Sequence, residues 1–281
     1  MKHLLVTNDY PPKVGGIQSY LWELWRRLDP DDVTVLTTPH EGAAAFDAAA
    51  PHRIERTRDP VLLPHPGLAR RIEALARQVD ARLLVLDPVL PLSVLGPRVA
   101  RRLGIPWVVV AHGAEITVPG RLPVSRALLG RVLRSADGVI AAGGYPLAES
   151  ERAAGMPLAN AVIPPGVDTT DITPLAPSER AEIRRCLGVD EDTTLVFGLS
   201  RLVPRKGFDT LFGAWHGLCR RMDWDVDLVV AGTGAELEAW KARAARELPA
   251  GRMRFLGYRR DMPVVVAACD VLIHPARYEA Y

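Results

Sequence analysis

Short aliphatic runs alternate with amphipathic stretches along most of the chain, the pattern of a parallel sheet covered by helices. Leu4–Thr7 reads as the first strand. Ile17–Leu28 follows as a helix, with Ile17, Leu21, Leu24 and Leu28 on one face. Strands are predicted at Val33–Thr37, Leu83–Asp87, Trp107–Ala111, Gly138–Ala141 and Ala161–Ile163. Helices are predicted between them at Leu68–Val79, Leu92–Leu103, Arg126–Ser135 and Pro146–Ala154.

The texture then changes. Pro164-Pro165-Gly166-Val167-Asp168 is turn chemistry, and Pro174 and Pro177 follow closely. Ser178, with Glu182 nearby, marks a short helix. The alternation restarts with strand Leu195–Leu199, helix Phe208–Arg221, strand Asp227–Ala231, helix Glu236–Glu247, strand Met253–Leu256, helix Met262–Ala268 and strand Val271–His274. The expected fold class is therefore α/β, with two Rossmann-like parallel-sheet domains at 1–166 and 167–281. The second is short for this fold, so an incomplete domain, C-terminally truncated, is expected.

Length allows two domains, and a chain that is 48% hydrophobic can bury a large core in each. The formal net charge of +2 gives no argument for a nucleic-acid partner. Cys186, Cys219 and Cys269 lie far apart, so neither a zinc site nor a disulfide framework is expected. The apolar stretch at the N-terminus is too short for a signal peptide, and no run approaches the ~20 apolar residues of a membrane span. A cytoplasmic protein is expected, with contact at a membrane surface left open.

In an open parallel sheet, ligands bind at the carboxyl ends of strands, so the loops after strands matter most. Asn8 to Gln18 joins the first strand to the first helix and holds Gly15 and Gly16 at the helix entrance, where bare backbone amides suit an anion. Asp9, Tyr10 and Gln18 are the polar candidates of this loop for an acceptor. His112-Gly113-Ala114-Glu115 follows the buried strand Trp107–Ala111, and His112 is placed to hydrogen-bond a sugar hydroxyl. Gly198 to Phe208 carries Arg201 at a strand end and Lys206 near the next helix start. Those two cations suit a diphosphate: the arginine offers a planar fork, the lysine a point charge. Glu279 follows the last strand, and a surface carboxylate is its default reading.

Weaker candidates compete with ordinary structure. Gly232-Thr233-Gly234 opens a helix after a strand, and a nucleotide contact is weighed there against a plain turn. Asp223, Asp225 and Asp227 form Asp-x-Asp patterns, but they precede a strand, the wrong end for a ligand, so a turn is the better reading. Trp22 and Trp25 read as packing rather than a membrane anchor. The dinucleotide Gly-x-Gly-x-x-Gly, the phosphate-binding Gly-Lys-Ser/Thr and the Gly-x-Ser-x-Gly nucleophile turn are all missing from the sequence.

Taken together, Gly-Gly-Ile-Gln at 15–18, His-Gly-Ala-Glu at 112–115, Pro-Pro-Gly-Val-Asp at 164–168 and Ser-Arg-Leu-Val-Pro-Arg-Lys-Gly at 200–207 resemble glycosyltransferase family 4, retaining enzymes of the GT-B fold, over essentially the whole chain. Within it, the chain is most similar to the actinobacterial GDP-mannose-dependent phosphatidylinositol mannosyltransferases. The resemblance implies two Rossmann-like domains facing a cleft. Gly15 and Gly16 would lie against the donor diphosphate, Arg201 and Lys206 would neutralise it, and His112 would contact the donor sugar. Glu279 matches the first Glu of the family's Glu-x7-Glu motif; the second would fall at position 287, past Tyr281. Ala114 departs from the second His of those mannosyltransferases, which puts the donor sugar and the acceptor in question.

The partners implied are a nucleotide sugar, GDP-mannose by that resemblance, and a glycan or lipid hydroxyl. No cofactor and no metal are expected, because charge on a leaving diphosphate can be met by cations and amides. Retaining transfer of this kind lets the departing phosphate take the acceptor proton, so no general-base pair is required. Rival readings are a sugar-nucleotide 2-epimerase of the same fold and a non-catalytic nucleotide-sugar-binding protein; a nicotinamide oxidoreductase ranks last.

Overall fold

The computed structural model of the chain describes residues 1–117, 119–170, 172–221, 225–259 and 261–277. It divides into two compact units, Met1–Gly166 and a second from Val167 on.

The first unit runs β1 (His3–Thr7), α1 (Gly16–Trp25), β2 (Val33–Thr37), α2 (Ala43–Ala49), β3 (Arg53–Arg56), α3 (Pro66–Gln78) and β4 (Leu83–Asp87). It continues with α4 (Gly96–Leu103), β5 (Trp107–Ala111), α5 (Ala114–Thr117), α6 (Pro123–Ser135), β6 (Gly138–Ala141), α7 (Gly144–Ala154) and β7 (Asn160–Val162). The sheet is parallel throughout, in the order β3-β2-β1-β4-β5-β6-β7. The chain winds outward from β1 to β3, returns to β4 beside β1, and winds out the other way. The loops after β1 and β4 therefore diverge, and the crevice between them is where such sheets take ligands.

The aliphatic runs are strands because both sheet faces are covered. Leu4 and Val6 pack with Leu68, Ile72, Val99 and Leu133 of the helices on one face. Leu5, between them, packs on the other face with Tyr20, Leu21 and Trp25 of α1. Trp25 is buried and its indole N–H donates to His3 Nε2 at 2.9 Å, while Trp22 stacks edge-on with Phe46. Both tryptophans are packing residues, as expected.

Helix starts are marked by proline. Pro66, Pro123 and Pro177 each sit in a first turn, where a missing N–H costs nothing. The predicted helix at 92–103 divides: Leu92–Leu95 is a 3₁₀ turn and α4 proper starts at Gly96.

The second unit runs α8 (Pro177–Cys186), β8 (Thr194–Leu199), α9 (Phe208–Leu218), β9 (Val226–Ala231), α10 (Leu237–Glu247), β10 (Met253–Gly257), α11 (Met262–Ala268) and β11 (Val271–Ile273). Among the described residues its sheet is parallel and four-stranded, in the order β10-β9-β8-β11. Phe197 and Val229 face α8 and α11; Val196, Leu228 and Val230 face α9 and α10. The Arg184 side chain of α8 is 1% exposed and donates to the Asp270 carboxylate at 3.1 Å, to Asp190 O at 3.1 Å and to the Thr193 carbonyl, tying α8 to the entrance of β8. Asp227 pairs with Arg254 at 2.7 Å, and both Asp225 and Asp227 lie within reach of Arg252, so these acids tie the start of β9 to β10. No helix of the described residues is long and apolar enough to cross a membrane.

Candidate functional site

In the first unit the polar residues at strand ends converge on the crevice between β1 and β4. The 3₁₀ turn and helix that follow β4 carry the chain away, so Asp87 ends its strand with a carboxylate inside the sheet edge. It is fully buried. Thr7, at the end of β1, donates its hydroxyl proton to Asp87 Oδ2 at 2.5 Å. The same hydroxyl accepts the Asp9 amide at 2.8 Å. On the other side, His112, just past β5, donates Nε2–H to Asp87 Oδ1 at 2.7 Å. Burial works against a charged imidazole, but Asp87, with Glu115 and Asp9 further off, outweighs it and raises the His112 pKa above its ordinary value.

His112 is 7% exposed, with Tyr20 edge-on at 5.3 Å between ring centres. Its turn is held by Glu115, whose Oε1 accepts the His112 amide at 2.5 Å and the Gly113 amide at 3.1 Å. His112 therefore enters the crevice with one nitrogen already committed, and a carboxylate not singled out in the sequence holds it. The signal for Asp87 was present: it is the one polar residue closing the otherwise aliphatic run Leu83-Leu84-Val85-Leu86.

The loop after β1 is pinned by the segment around β3. Arg56 donates to Pro11 O at 2.6 Å and pairs with Asp47 at 2.7 Å, while the Leu62 amide donates to Asn8 Oδ1 at 2.7 Å. Two acceptor candidates are buried here. Tyr10 is 1% exposed and its hydroxyl is hydrogen-bonded with His52 Nε2 at 2.8 Å, so it packs in the core. Burial raises its pKa accordingly. Gln18 is also buried, and donates to Asp9 Oδ1 at 2.6 Å. It positions Asp9, which also pairs with Lys13 at 2.7 Å and keeps part of its carboxylate in solvent.

Gly15 and Gly16 stand at the entrance of α1. Its first backbone hydrogen bond runs from the Ser19 amide to Gly15 O at 3.0 Å. The amides of Gly16, Ile17 and Gln18 have no acceptor among the described residues, and a Cβ placed at Gly16 meets nothing within 4 Å. This is an open, positive helix start of the kind that holds phosphate oxygens.

In the second unit, Arg201 follows β8 with its guanidinium exposed, and makes no ion pair among the described residues. Lys206 is half-buried in the 3₁₀ turn Pro204–Lys206, which leads through Gly207 into α9. Gly207 has φ +68°, and a Cβ there would stand 2.1 Å from Pro275 O. Gly232 and Gly234 have a packing reason to be glycine. They carry φ +131° and +158°, and Cβ atoms on them would stand 1.9 Å from Ser200 O and 2.2 Å from Leu202 O. Their glycines let the loop after β9 lie against the loop bearing Arg201, with Leu202 N–H donating to Thr233 O at 2.9 Å. Arg277, after β11, reaches the same loop, donating to the Pro204 carbonyl and to Asp209 Oδ2 at 2.6 Å. The cationic loop is thus braced from both neighbouring strand ends. Glu279 lies outside the described residues. Among those residues no group of three or more His, Cys, Asp or Glu could hold a metal ion.

Residues 14–171 match the family Glycosyltransferase Family 4, and residues 179–281 match Glycosyl transferases group 1. The chain is 38% identical over 283 residues to the GDP-mannose-dependent alpha-(1-6)-phosphatidylinositol monomannoside mannosyltransferase of Mycobacterium tuberculosis, covering 98% of this chain and 72% of that protein. It is 31% identical over 281 residues to the GDP-mannose-dependent monoacylated alpha-(1-6)-phosphatidylinositol monomannoside mannosyltransferase of Corynebacterium glutamicum, with the same coverage. The crystal structure of Anabaena Alr3699/HepE in complex with UDP has a TM-score of 0.81 at 22% identity, covering 99% of this chain and 75% of that one, a likeness of fold. Two parallel-sheet units, an open glycine helix start and a braced cationic loop accord with these matches: the chain belongs to glycosyltransferase family 4, has the GT-B fold and is a glycosyltransferase.

Proposed function

We propose that this enzyme transfers mannose from GDP-mannose to a hydroxyl of a glycolipid acceptor, with retention of configuration at the anomeric carbon. The donor assignment is supported by the printed specificity of the Mycobacterium tuberculosis and Corynebacterium glutamicum relatives, both GDP-mannose-dependent. The observation that carries the chemistry is the braced loop after β8: an exposed guanidinium and a half-buried ammonium on backbone held from two sides.

Such cations cost no reorganisation when negative charge develops on a departing diphosphate. Arg201 and Lys206 neutralise the leaving group in this reading, and the bare amides at Gly15 and Gly16 take phosphate oxygens, so no metal ion is invoked. His112 meets the transferred sugar, Asp9 faces the acceptor, and Glu279 holds donor-sugar hydroxyls on the strength of its motif. The acceptor hydroxyl loses its proton to the leaving phosphate as it attacks.

A lipid acceptor is supported by the outer face of α6. Leu122, Val124 and Leu128 are exposed there, with Arg131 on the same face, and the helix carries no acidic residue. An apolar and basic face of this kind suits peripheral contact with an anionic bilayer.

The test is Lys206→Ala, with GDP release from GDP-mannose as the readout and a mannosylated phosphatidylinositol as acceptor. Turnover is expected to fall by about 10²-fold or more. Near-normal turnover removes Lys206 from the mechanism. Conversion of the donor to another nucleotide sugar without acceptor would replace transfer with epimerisation.

A further inference from the structure

We propose that Asp87 is a positioning residue for catalysis: by accepting the Nε2 proton of His112 it dedicates Nδ1 of that imidazole to the substrate. The inference rests on the reading that His112 meets the transferred sugar, and extends it to a residue on the neighbouring strand.

Asp87 is fully buried, yet both its oxygens are engaged by side chains from different strands. Oδ2 accepts the Thr7 hydroxyl and Oδ1 accepts His112 Nε2. A buried carboxylate is costly unless it is fully paired, and here the pairing fixes a ring rather than a salt bridge at the surface. With Nε2 committed below, Nδ1 is the remaining polar atom of the ring, and it has no hydrogen-bond partner among the described residues. Tyr20, edge-on to the imidazole, stops it from turning over, and donates its own hydroxyl to Ile163 O at 2.8 Å. The tautomer and the orientation of His112 are both set by groups that never touch substrate, the arrangement that makes a histidine effective.

The charged groups around the ring are Asp87 on β4, Glu115 on α5 and Asp9 on the loop after β1, with Lys13 paired to Asp9. Glu115 spends one oxygen on backbone amides, and Asp9 is shared with Lys13 and Gln18, so Asp87 is the carboxylate in direct contact. The raised His112 pKa follows from that contact. A protonated ring donates from Nδ1 to a sugar hydroxyl. The Asp87 charge keeps the pair neutral overall, so no uncompensated cation stands beside a sugar that itself becomes positive in the transition state. Thr7 has a second effect: its hydroxyl also holds the Asp9 amide, so one side chain couples the carboxylate to the backbone of the loop after β1.

The experiment is Asp87→Asn in the full chain, with two readouts. ¹⁵N-histidine NMR, with the His112 signals assigned by loss in His112→Gln, gives the tautomer and pKa of His112. GDP release from GDP-mannose across pH gives kcat and KM. In the native chain the neutral ring is expected as the Nε2–H tautomer. In Asp87→Asn the His112 pKa is expected to fall by about one unit or more. kcat is expected to drop about 10-fold or more with KM little changed, and the alkaline limb of its pH profile to move with the NMR value. Thr7→Val keeps the Asp87 charge and is expected to leave the His112 pKa at or above the native value. An unchanged His112 pKa in Asp87→Asn, a mixed tautomer in the native chain, or a fall in Thr7→Val as large as in Asp87→Asn each overturns the proposal. If His112→Ala turns over normally while the NMR shifts hold, the reading that His112 meets the sugar fails instead. Should Asp87→Asn not fold, the native tautomer and the sign of the Thr7→Val shift still decide the question.

Discussion

Replacing Gly232 by alanine puts a methyl group into space that the Ser200 carbonyl already fills. The new Cβ would stand 1.9 Å from Ser200 O and 3.0 Å from Ser200 C, both backbone atoms that cannot swing aside. Backbone at φ +131° adds conformational strain of about 1–3 kcal/mol for an L-residue. Relieving the clash means pushing the loop after β8 outward, an overpacking cost of about 1–3 kcal/mol. Hydrogen bonds from Leu202 N–H to Thr233 O and from Gly232 N–H to Gly257 O, at 2.9 and 2.8 Å, resist that movement. Together these give a loss of about 3–4 kcal/mol in the second unit, or roughly 10 °C or more in its melting temperature. Urea unfolding followed by tryptophan fluorescence reads it, since Trp215 lies on the buried face of α9. Gly16→Ala is the control: a Cβ there meets nothing within 4 Å, so stability should stay within about 0.5 kcal/mol of native. If Gly232→Ala is as stable as the native chain, or Gly16→Ala loses as much, the account of Gly232 as a loop-packing residue is wrong. The displaced loop also carries Arg201, so affinity for GDP should fall in Gly232→Ala at temperatures where the chain is still folded.

Two further outcomes follow from buried charge and buried imidazole. Arg184→Met keeps bulk but strips donors from Thr193 O, Asp190 O and one Asp270 oxygen, and about 2–4 kcal/mol of stability should be lost; a denaturation midpoint equal to the native one would show that these contacts contribute nothing. Burial lowers the pKa of both His3 and His52, so the folded first unit binds their protons less readily than the unfolded chain. Stability from this source is complete above about pH 6.5 and is lost as pH falls through that value toward the lowered folded ones. The urea midpoint should therefore drop between about pH 6.5 and 5, and drop less in His52→Asn; an equal drop in both chains would remove His52 from the effect.

The strands buried on both faces were legible almost to the residue: Val33–Thr37, Leu83–Asp87, Trp107–Ala111 and Gly138–Ala141 are found as expected. A strand that must exclude water on both sides has no choice but an unbroken apolar run. α2 and β3 escaped because they obey no such demand. Ala43–Ala49 has no apolar stripe, and Arg53-Ile54-Glu55-Arg56 is an edge strand whose charges guard a free edge. Three helices, α3, α6 and α7, start two or three residues before their apolar periodicity does, since the first turn shows in proline and glycine instead. At the candidate site, Gly15, Gly16, Arg201 and Lys206 are candidates on loop position alone, because backbone amides and charge need no distant partner to be read. Tyr10 could not be told apart from its exposed neighbours, because the histidine that claims its hydroxyl is 42 residues away. Asp87 was missed for the same reason, with His112 lying 25 residues further on and three strand ends contributing to one network.

Arg277 joins the segment after β11 to the turn that carries Lys206, just as Gly232 and Gly234 join the loop after β9 to the stretch that carries Arg201. Three strand ends are thereby clasped into a single plate. Lengthening any one of these loops would spring the other two, so descendants with altered taste for donor or acceptor have little room to vary here by insertion. Their freedom lies in single side-chain exchanges on the plate.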